Sequence, residues 1–542
     1  MSIMKKIIYL IAVLSVTACV NDLDTLPLDK TEPVAEYVYG SEEDAYLSGL
    51  ARLYFQFVTN DLTDLQQMDG GASELVRAFW SVQETTADAA KCSWENDAWV
   101  RALNTNTWND AQNDAIYAVY VRTLQGVSYV NEYLRQTTPD KLNARGVSPE
   151  LAARIETFRA EARFLRAYFY WIALDCFGSV PFSTEDSPFG GTYTPPQATR
   201  TQVYEFCVSE LQDLISDSSP MLPAQAMYPR ADKGSASGLL ARMYLNSVVY
   251  TGTPRWTEAK DMCEQIFDMG YTLCPSYPAL FRGNNGENPL ARGEMLWSVT
   301  YNSGSTESYG GTTYLLAASL AATDITDQSN PNGQVNGWAG LRVPYEYVSR
   351  FFDVSDQNYE TGTYNVSDER GKLFYIKGRQ ESMEGALYVF MNGWSCLKFN
   401  NIPHDQTEQE FLPTADTKGF SDIDFPMIRL AEIYLIYAEA CLNAGGDASA
   451  QIAALRERAG VSSDVQIDSD FIMAERAREL MWEAHRRTDL IRLGLYDGDE
   501  YLWPYKGGDS FADQAFPSYK RIFPLPPTEL ATNKALEQNP GY

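Results

Sequence analysis

Residues that could carry out chemistry are plentiful in this sequence, but they fall in no catalytic pattern. The two histidines, His404 and His485, stand outside any HExxH run, which argues against a zinc hydrolase. Gly234-Ser235-Ala236-Ser237-Gly238 puts alanine where the nucleophile of a GxSxG elbow would be. No phosphate-binding GxxxxGK[ST] run and no dinucleotide GxGxxG after a strand is present. Paired carboxylates can hydrolyse glycosides, yet among 72 acidic residues a pair arises by number alone. Asn284–Asn288 and Asp353–Asp356 carry oxygen ligands without the spacing of a calcium loop and read as solvated loops. The expectation is a protein without metal or cofactor that is not an enzyme.

Aromatic rings offer different chemistry. They make up 13% of the chain, with 34 Tyr and 11 Trp. Residues Glu74 to Trp108 hold Trp80, Trp94, Trp99 and Trp108, and their apolar positions follow neither a sustained 3.6 nor a 2.0 period. That reads as irregular structure carrying large rings, a candidate binding surface. A pyranose has an apolar C–H face and a polar hydroxyl rim. Trp and Tyr present flat apolar area at low entropic cost, while Arg and Asn supply donors and acceptors for the rim. Trp94 and Trp338, flanked by polar residues or glycine, suit such a site. Trp80 and Trp108 suit core or support, and Trp171 and Trp482, inside helical patterns, suit packing.

Charge and targeting narrow the setting. Forty-three basic against 72 acidic residues leave a net charge of −29. Such a polyanion repels nucleic acid, whose affinity comes from cationic contacts to phosphate. Residues 1–19 combine a basic start (Lys5, Lys6), an apolar run too short to span a bilayer, and Val16-Thr17-Ala18-Cys19, which matches a bacterial lipobox. Cleavage would leave 1–18 as signal peptide, Cys19 as a lipidated N-terminus anchored in a membrane, and 19–40 as a polar tether. Each buried acyl methylene contributes about 0.8 kcal/mol to such anchoring. Of the eight cysteines, 8 − 1 = 7 remain after lipidation, an odd number without CxxC spacing. A disulfide framework is not expected, although Cys263 and Cys274 could pair.

The elements that position these residues are mostly helical. Helical patterns run over Glu42–Phe57, Ala111–Arg135, Leu151–Asp175, Gln202–Ser216, Lys233–Tyr250 and Trp256–Met269. They return over Met427–Asn443, Ala448–Ala459 and Phe471–Gly494. The helix at 151–175 carries two apolar rows, so it is packed on more than one side; Gly178 and Pro181 end it. Paired helices of this length suggest tetratricopeptide-type units. Residues 272–426 are loop-rich, with short runs such as Met295–Val299 and Ala386–Met391 that read as strands. Residues 41–542 are thus read as one domain: helical over 41–271 and 427–542, with a loop-rich insertion whose length suggests function.

Residues 161–182, EARFLRAYFYWIALDCFGSVPF, resemble the signature helix of the SusD/RagB family of outer-membrane nutrient-binding lipoproteins. RLAEIYLIYAEA at 429–440, the E-x-x-x-E-x-x-R-R-x-D-L-I-R run from Glu479 to Arg492, and P-x-x-E-L…Q-N-P-G-Y at the end are similar to further family signatures, in the family's order. The resemblance implies a mainly α fold in which tetratricopeptide-like helix pairs support a loop-rich face. It also implies a non-catalytic lipoprotein on the outer membrane that captures oligo- or polysaccharide and delivers it to a SusC-type TonB-dependent transporter. Local phrases resemble the family's starch-binding founder: Asn21-Asp22-Leu23-Asp24, Tyr309-Gly310-Gly311-Thr312-Thr313-Tyr314, Asn336-Gly337-Trp338 and Tyr501-Leu502-Trp503…Lys506-Gly507-Gly508. By that matching the implied glycan site is Arg77, Trp94, Asn96, Trp99, Tyr309 and Trp338, leaning to a starch-like α-glucan. The founder's W-x-W pair is replaced by Trp94-Glu95-Asn96-Asp97-Ala98-Trp99, which bears on the curvature of the aromatic arc and hence on specificity. A lipid-anchored glycoside hydrolase, or the same fold binding another glycan or peptides, are the alternatives.

Overall fold

The computed structural model describes residues 38–542 apart from 61–67, 69, 191–192, 327–328, 409, 412–418 and 513. The lipobox with Cys19, the signal peptide and the tether up to residue 37 lie outside the described residues. Helices dominate: α1 (Glu43–Phe55), α2 (Leu75–Glu84), α3 (Ala98–Asn104), α4 (Asp114–Gln136), α5 (Pro149–Phe177), α6 (Arg200–Ile215), α7 (Lys233–Leu245), α8 (Trp256–Phe267), α9 (Gly311–Ala318), α10 (Leu430–Ala444), α11 (Ser449–Arg458), α12 (Ser469–Glu479) and α13 (Arg486–Arg492). The strands are short and paired two by two. β1 (Lys91–Cys92) runs antiparallel to β3 (Leu341–Arg342), and β2 (Met295–Val299) antiparallel to β4 (Phe425–Arg429). No helix among the described residues is long and apolar enough to cross a membrane.

α5 is the centre of the helical layer. Ser148 caps it by accepting from the Leu151 N–H, Pro149 opens it, and Gly178, at a φ of 71°, closes it. Every residue from Phe164 to Phe177 is buried, as its two apolar rows require. Arg166 lies inside too, paired with Glu185 and Glu210 rather than facing water. α4 packs on one side of α5 and α6 on the other. The series continues α6–α7, α7–α8, α8–α10, then α10 with α11 and α12, each helix resting on its neighbours in the manner of a helical solenoid. Close approach needs small residues: a Cβ at Gly126 on α4 would stand 2.7 Å from the Phe169 ring, and one at Gly238 on α7 2.7 Å from Ile428 of β4. Trp297 of β2 fills the space beside α5, its ring 5.1 Å from Phe164 and 4.6 Å from Tyr168.

Several expected elements are redrawn. Residues Glu74 to Trp108 are ordered: α2, β1 and α3 lie there. All ten residues of α2 are buried; Leu75, Ala78, Phe79 and Val82 keep helical spacing, but the helix is too short to sustain the period across the stretch. Met427 to Arg429 belong to β4, not to a helix; a short apolar run reads alike for a buried strand and a buried helix. Lys233–Tyr250 divides at Asn246 into α7 and a short helix, Ser247–Thr251. Ala386–Met391 forms turns rather than a strand. The pattern at Phe471–Gly494 breaks at 480–485, where Trp482 and Ala484 both take left-handed φ of 63°. His485 therefore sits at the start of α13, not inside a helix. The break is held by indole bonds in both directions: Trp80 Nε1 donates to the Trp482 carbonyl (2.9 Å) and Trp482 Nε1 to that of Ala89 (2.8 Å).

A buried ion network ties the loop-rich region to the C-terminal helices. Arg429 donates to Glu294 (2.9 Å), Glu479 (2.6 Å) and Glu483 (2.6 Å). Glu479 also accepts from Arg370 (3.0 Å) and Arg458, Arg370 reaches Glu475 and Asp368, and Lys398 pairs with Glu483 (2.5 Å). Removing one member strands its partners in a low dielectric. Arg429→Met is expected to lower unfolding free energy by about 3–5 kcal/mol, read as a fall in the denaturant midpoint at unchanged slope. A midpoint equal to wild type would show that the network contributes no net stability.

Candidate aromatic glycan-binding site

α2 carries Arg77 and, at its N-cap, Glu74; the turn leading into α9 carries Tyr309. The turn lies hard against the chain just before α2. A Cβ at Gly71 would fall 2.2 Å from the Tyr309 carbonyl carbon, and one at Gly310 would fall inside the Glu74 carboxylate. Gly311 takes a φ of 45°. Glycine is required at these points because a Cβ would meet the Tyr309 backbone at Gly71, the Glu74 side chain at Gly310 and the Tyr301 ring at Gly311. Tyr309 is thereby pushed outward, 50% exposed. Trp338 lies beside it, ring centroids 6.0 Å apart, and Phe420 backs it at 5.1 Å. The Trp338 N–H donates to the Ala317 carbonyl of α9 (2.7 Å), which fixes the loop on that helix.

Trp94 follows β1 and is half-buried. Its indole lies on Gly340, where a Cβ would stand 2.7 Å from the ring, and its Nε1 donates to the Trp338 carbonyl (3.4 Å). Ser93 fastens the same junction, donating through Oγ to the Ala339 carbonyl (2.6 Å) and through its N–H to that of Gly340 (2.8 Å). Arg77 lies beneath these rings and is 2% exposed. Its guanidinium sits 4.1 Å from the Tyr314 ring centroid and 5.8 Å from that of Trp94, and it donates to the Tyr309 carbonyl (3.3 Å). Arg77 thus underpins the plates from behind. Arg77, Trp94, Tyr309 and Trp338 come together as one shelf. Asn96 is exposed in the turn after Trp94, and Trp99, half-buried on α3, makes no ring contact with the other three rings. Glu74, Tyr314 and Phe420 complete the support, and no pattern in the sequence singled them out.

The tryptophans expected to pack do so. Trp80 and Trp108 are buried, as expected of core rings, and so are Trp171 and Trp482. His485 is buried 3.9 Å from Glu432, and burial pushes its pKa down to about 4. His404 lies in an exposed loop beside Asn284. Cys263 and Cys274 are not paired; all seven cysteines among the described residues are free, buried thiols. No cluster of three metal-ligating side chains occurs among the described residues. What the shelf offers is flat apolar area bordered by amide and hydroxyl groups, which suits stacking on a sugar ring.

The family model described as "SusD family" matches residues 293–542, and one described as "Starch-binding associating with outer membrane" matches 58–245. The chain is 30% identical to the starch-binding protein SusD of Bacteroides thetaiotaomicron across 98% of each chain, and 24% identical to a SusD-like protein of Bacteroides ovatus across 63% of this chain and 60% of that one. Among solved structures, surface glycan-binding protein A of Bacteroides thetaiotaomicron in complex with laminarihexaose superposes with a TM-score of 0.66 at 18% identity, covering 92% of this chain and 99% of that one. A laminarin-binding SusD-like protein gives 0.64 at 22% identity, covering 93% and 100%. The chain belongs to the SusD family, with its mainly helical fold. It is a member of a family of glycan-binding proteins rather than an enzyme.

The support beneath Tyr309 carries a titratable group. Glu74 accepts from the Tyr301 hydroxyl at 2.5 Å, and burial pushes its carboxyl from the ordinary 4.5 up to about 8. The folded protein then holds a proton that the unfolded chain releases between those values. Stability contributed by the neutral carboxyl is whole below about pH 4.5 and is lost as pH rises to about 8. Glu74→Gln stays neutral throughout. Denaturant midpoints at about pH 5 and about pH 9 should therefore show the wild type losing ground to this variant at the higher pH; a difference independent of pH would contradict the assignment.

Proposed function

We propose that this protein is a lipid-anchored, cell-surface glycan-binding protein of the outer membrane. It captures a starch-like α-glucan on the shelf of Tyr309, Trp338 and Trp94 and delivers it to a SusC-type TonB-dependent transporter. The observation that carries this reading is the exposure of Tyr309 beside Trp338, two rings fixed by backbone contacts and by packing on buried neighbours. Large rings held at the surface before any ligand arrives lose little freedom on binding, so their contact area converts efficiently into affinity. Support for an α-glucan comes from the 30% identity to starch-binding SusD over nearly the whole chain. The lipobox at Cys19 supports the anchor, and the family resemblance supports the transporter.

A net charge of −29 disfavours anionic polysaccharides and leaves neutral glycans. Affinity electrophoresis in gels containing amylopectin, pullulan, dextran, laminarin, levan, xylan or mannan tests the reading directly, with retardation expected in amylopectin and pullulan. Trp338→Ala combined with Tyr309→Ala is expected to weaken retention at least about tenfold while leaving the far-ultraviolet circular dichroism unchanged. Unaltered retardation of that double variant would remove the shelf as the binding site. Release of reducing ends by the purified protein would reopen the hydrolase alternative.

A further inference from the structure

In the loop-rich region, another aromatic side chain is held out in water. Tyr388 is 67% exposed and has neither a ring contact nor a hydrogen-bond partner among the described residues. Its neighbours Leu387 and Phe390 are buried, so the chain on either side of the ring is anchored. A single exposed ring is ordinary. What distinguishes Tyr388 is the way its loop is fastened, by the fully buried Arg342 on its backbone and the fully buried Arg379 on the Phe390 ring.

Arg342 donates to three carbonyls of this loop: Leu387 (2.5 Å), Val389 (2.6 Å) and Asn392 (2.9 Å). It stands on β3 two residues after Gly340, the residue on which Trp94 lies, a step of about 7 Å in extended chain. Arg379 lies 4.8 Å from the Phe390 ring centroid and pairs with Asp324 (2.6 Å). The same carboxylate accepts from the N–H of Ala321 (2.7 Å), and Ala321 forms a β-bridge with Trp338. Short chains of contacts thus link the loop of Tyr388 to both Trp94 and Trp338. A ring whose backbone is fixed in advance forfeits little entropy when something stacks on it.

We propose that Tyr388 is an outlying stacking subsite for an α-glucan chain already seated on Trp94, Tyr309 and Trp338, so that affinity depends on chain length. This rests on the reading of those three residues as the glycan shelf. The alternative occupant, a protein partner of the surface, would leave sugar affinity untouched.

Isothermal titration of the full described chain with maltoheptaose and with maltotriose separates these outcomes. Tyr388→Ala is expected to weaken maltoheptaose binding about five- to tenfold and maltotriose less than about twofold, the ring contributing only where the sugar is long enough to reach it. Tyr388→Phe, which keeps the stacking face, should stay within about twofold of wild type for both. Unchanged maltoheptaose affinity in Tyr388→Ala, with binding lost in Trp338→Ala, would overturn the subsite and leave the shelf standing. Equal loss for both sugars would place Tyr388 in the primary site and likewise overturn it. A wild-type protein that binds neither sugar would overturn the α-glucan reading and the subsite with it.

Discussion

The constraint on which the structure depends is the pairing of charges that have been taken out of water. Arg429, at the end of β4, is shared among Glu294, Glu479 and Glu483, and Glu479 in turn serves Arg370 and Arg458. Glu294, Arg370 and Lys398 come from the loop-rich stretch; the others come from the last third of the chain. Two regions that share little apolar periodicity are joined through groups that cannot be left unpartnered. The network also explains the run from Glu479 to Arg492. Glu479 and Glu483 face Arg429, Arg486 faces Asp88, and Asp489 faces Arg476 and Arg492. Charges spaced as a motif here are joints of the scaffold and do not approach the aromatic shelf.

The shelf is built on the opposite principle. It places rings where water can reach them, and it does so through main-chain contact. Gly71 and Gly310 let one segment lie directly on another beneath Tyr309, and Gly340 lets Trp94 lie flat on β3's approach. Arg77 fills the space behind with its guanidinium against Tyr314. These contacts are made without a ligand, so the outline of the shelf is present in the free protein. Its breadth is set by how the loops around α9 are fastened.

Much of the helical layer was legible in the sequence because one-sided burial leaves a period. The patterns at Glu42–Phe57, Ala111–Arg135 and Gln202–Ser216 correspond to α1, α4 and α6 within a few residues. α2 was missed for another reason: its stripe of Leu75, Ala78, Phe79 and Val82 lasts only ten residues and is followed by the irregular run to Trp108, so no sustained period forms. The break at Trp482 and Ala484 was hidden because the bonds that stabilise it come from Trp80 and Ala89, about four hundred positions away in the chain. Of the residues matched from the sequence, Trp94, Tyr309 and Trp338 lie together in the structure. Arg77 joins them, behind the rings rather than at their rim. Phe420 sits in a stretch of loop whose neighbours carry no period, and only its contact with Tyr309 brings it into view.

The seven thiols have an implication for the conditions this molecule can withstand. Each is free and buried, and burial pushes those of Cys176, Cys207 and Cys396 upward, away from the thiolate. A reductant finds no cross-link to cut among them, and an oxidant finds little nucleophilic sulfur to attack. The described fold is accordingly indifferent to redox poise, and it keeps its shape in an oxidising milieu without needing a covalent staple.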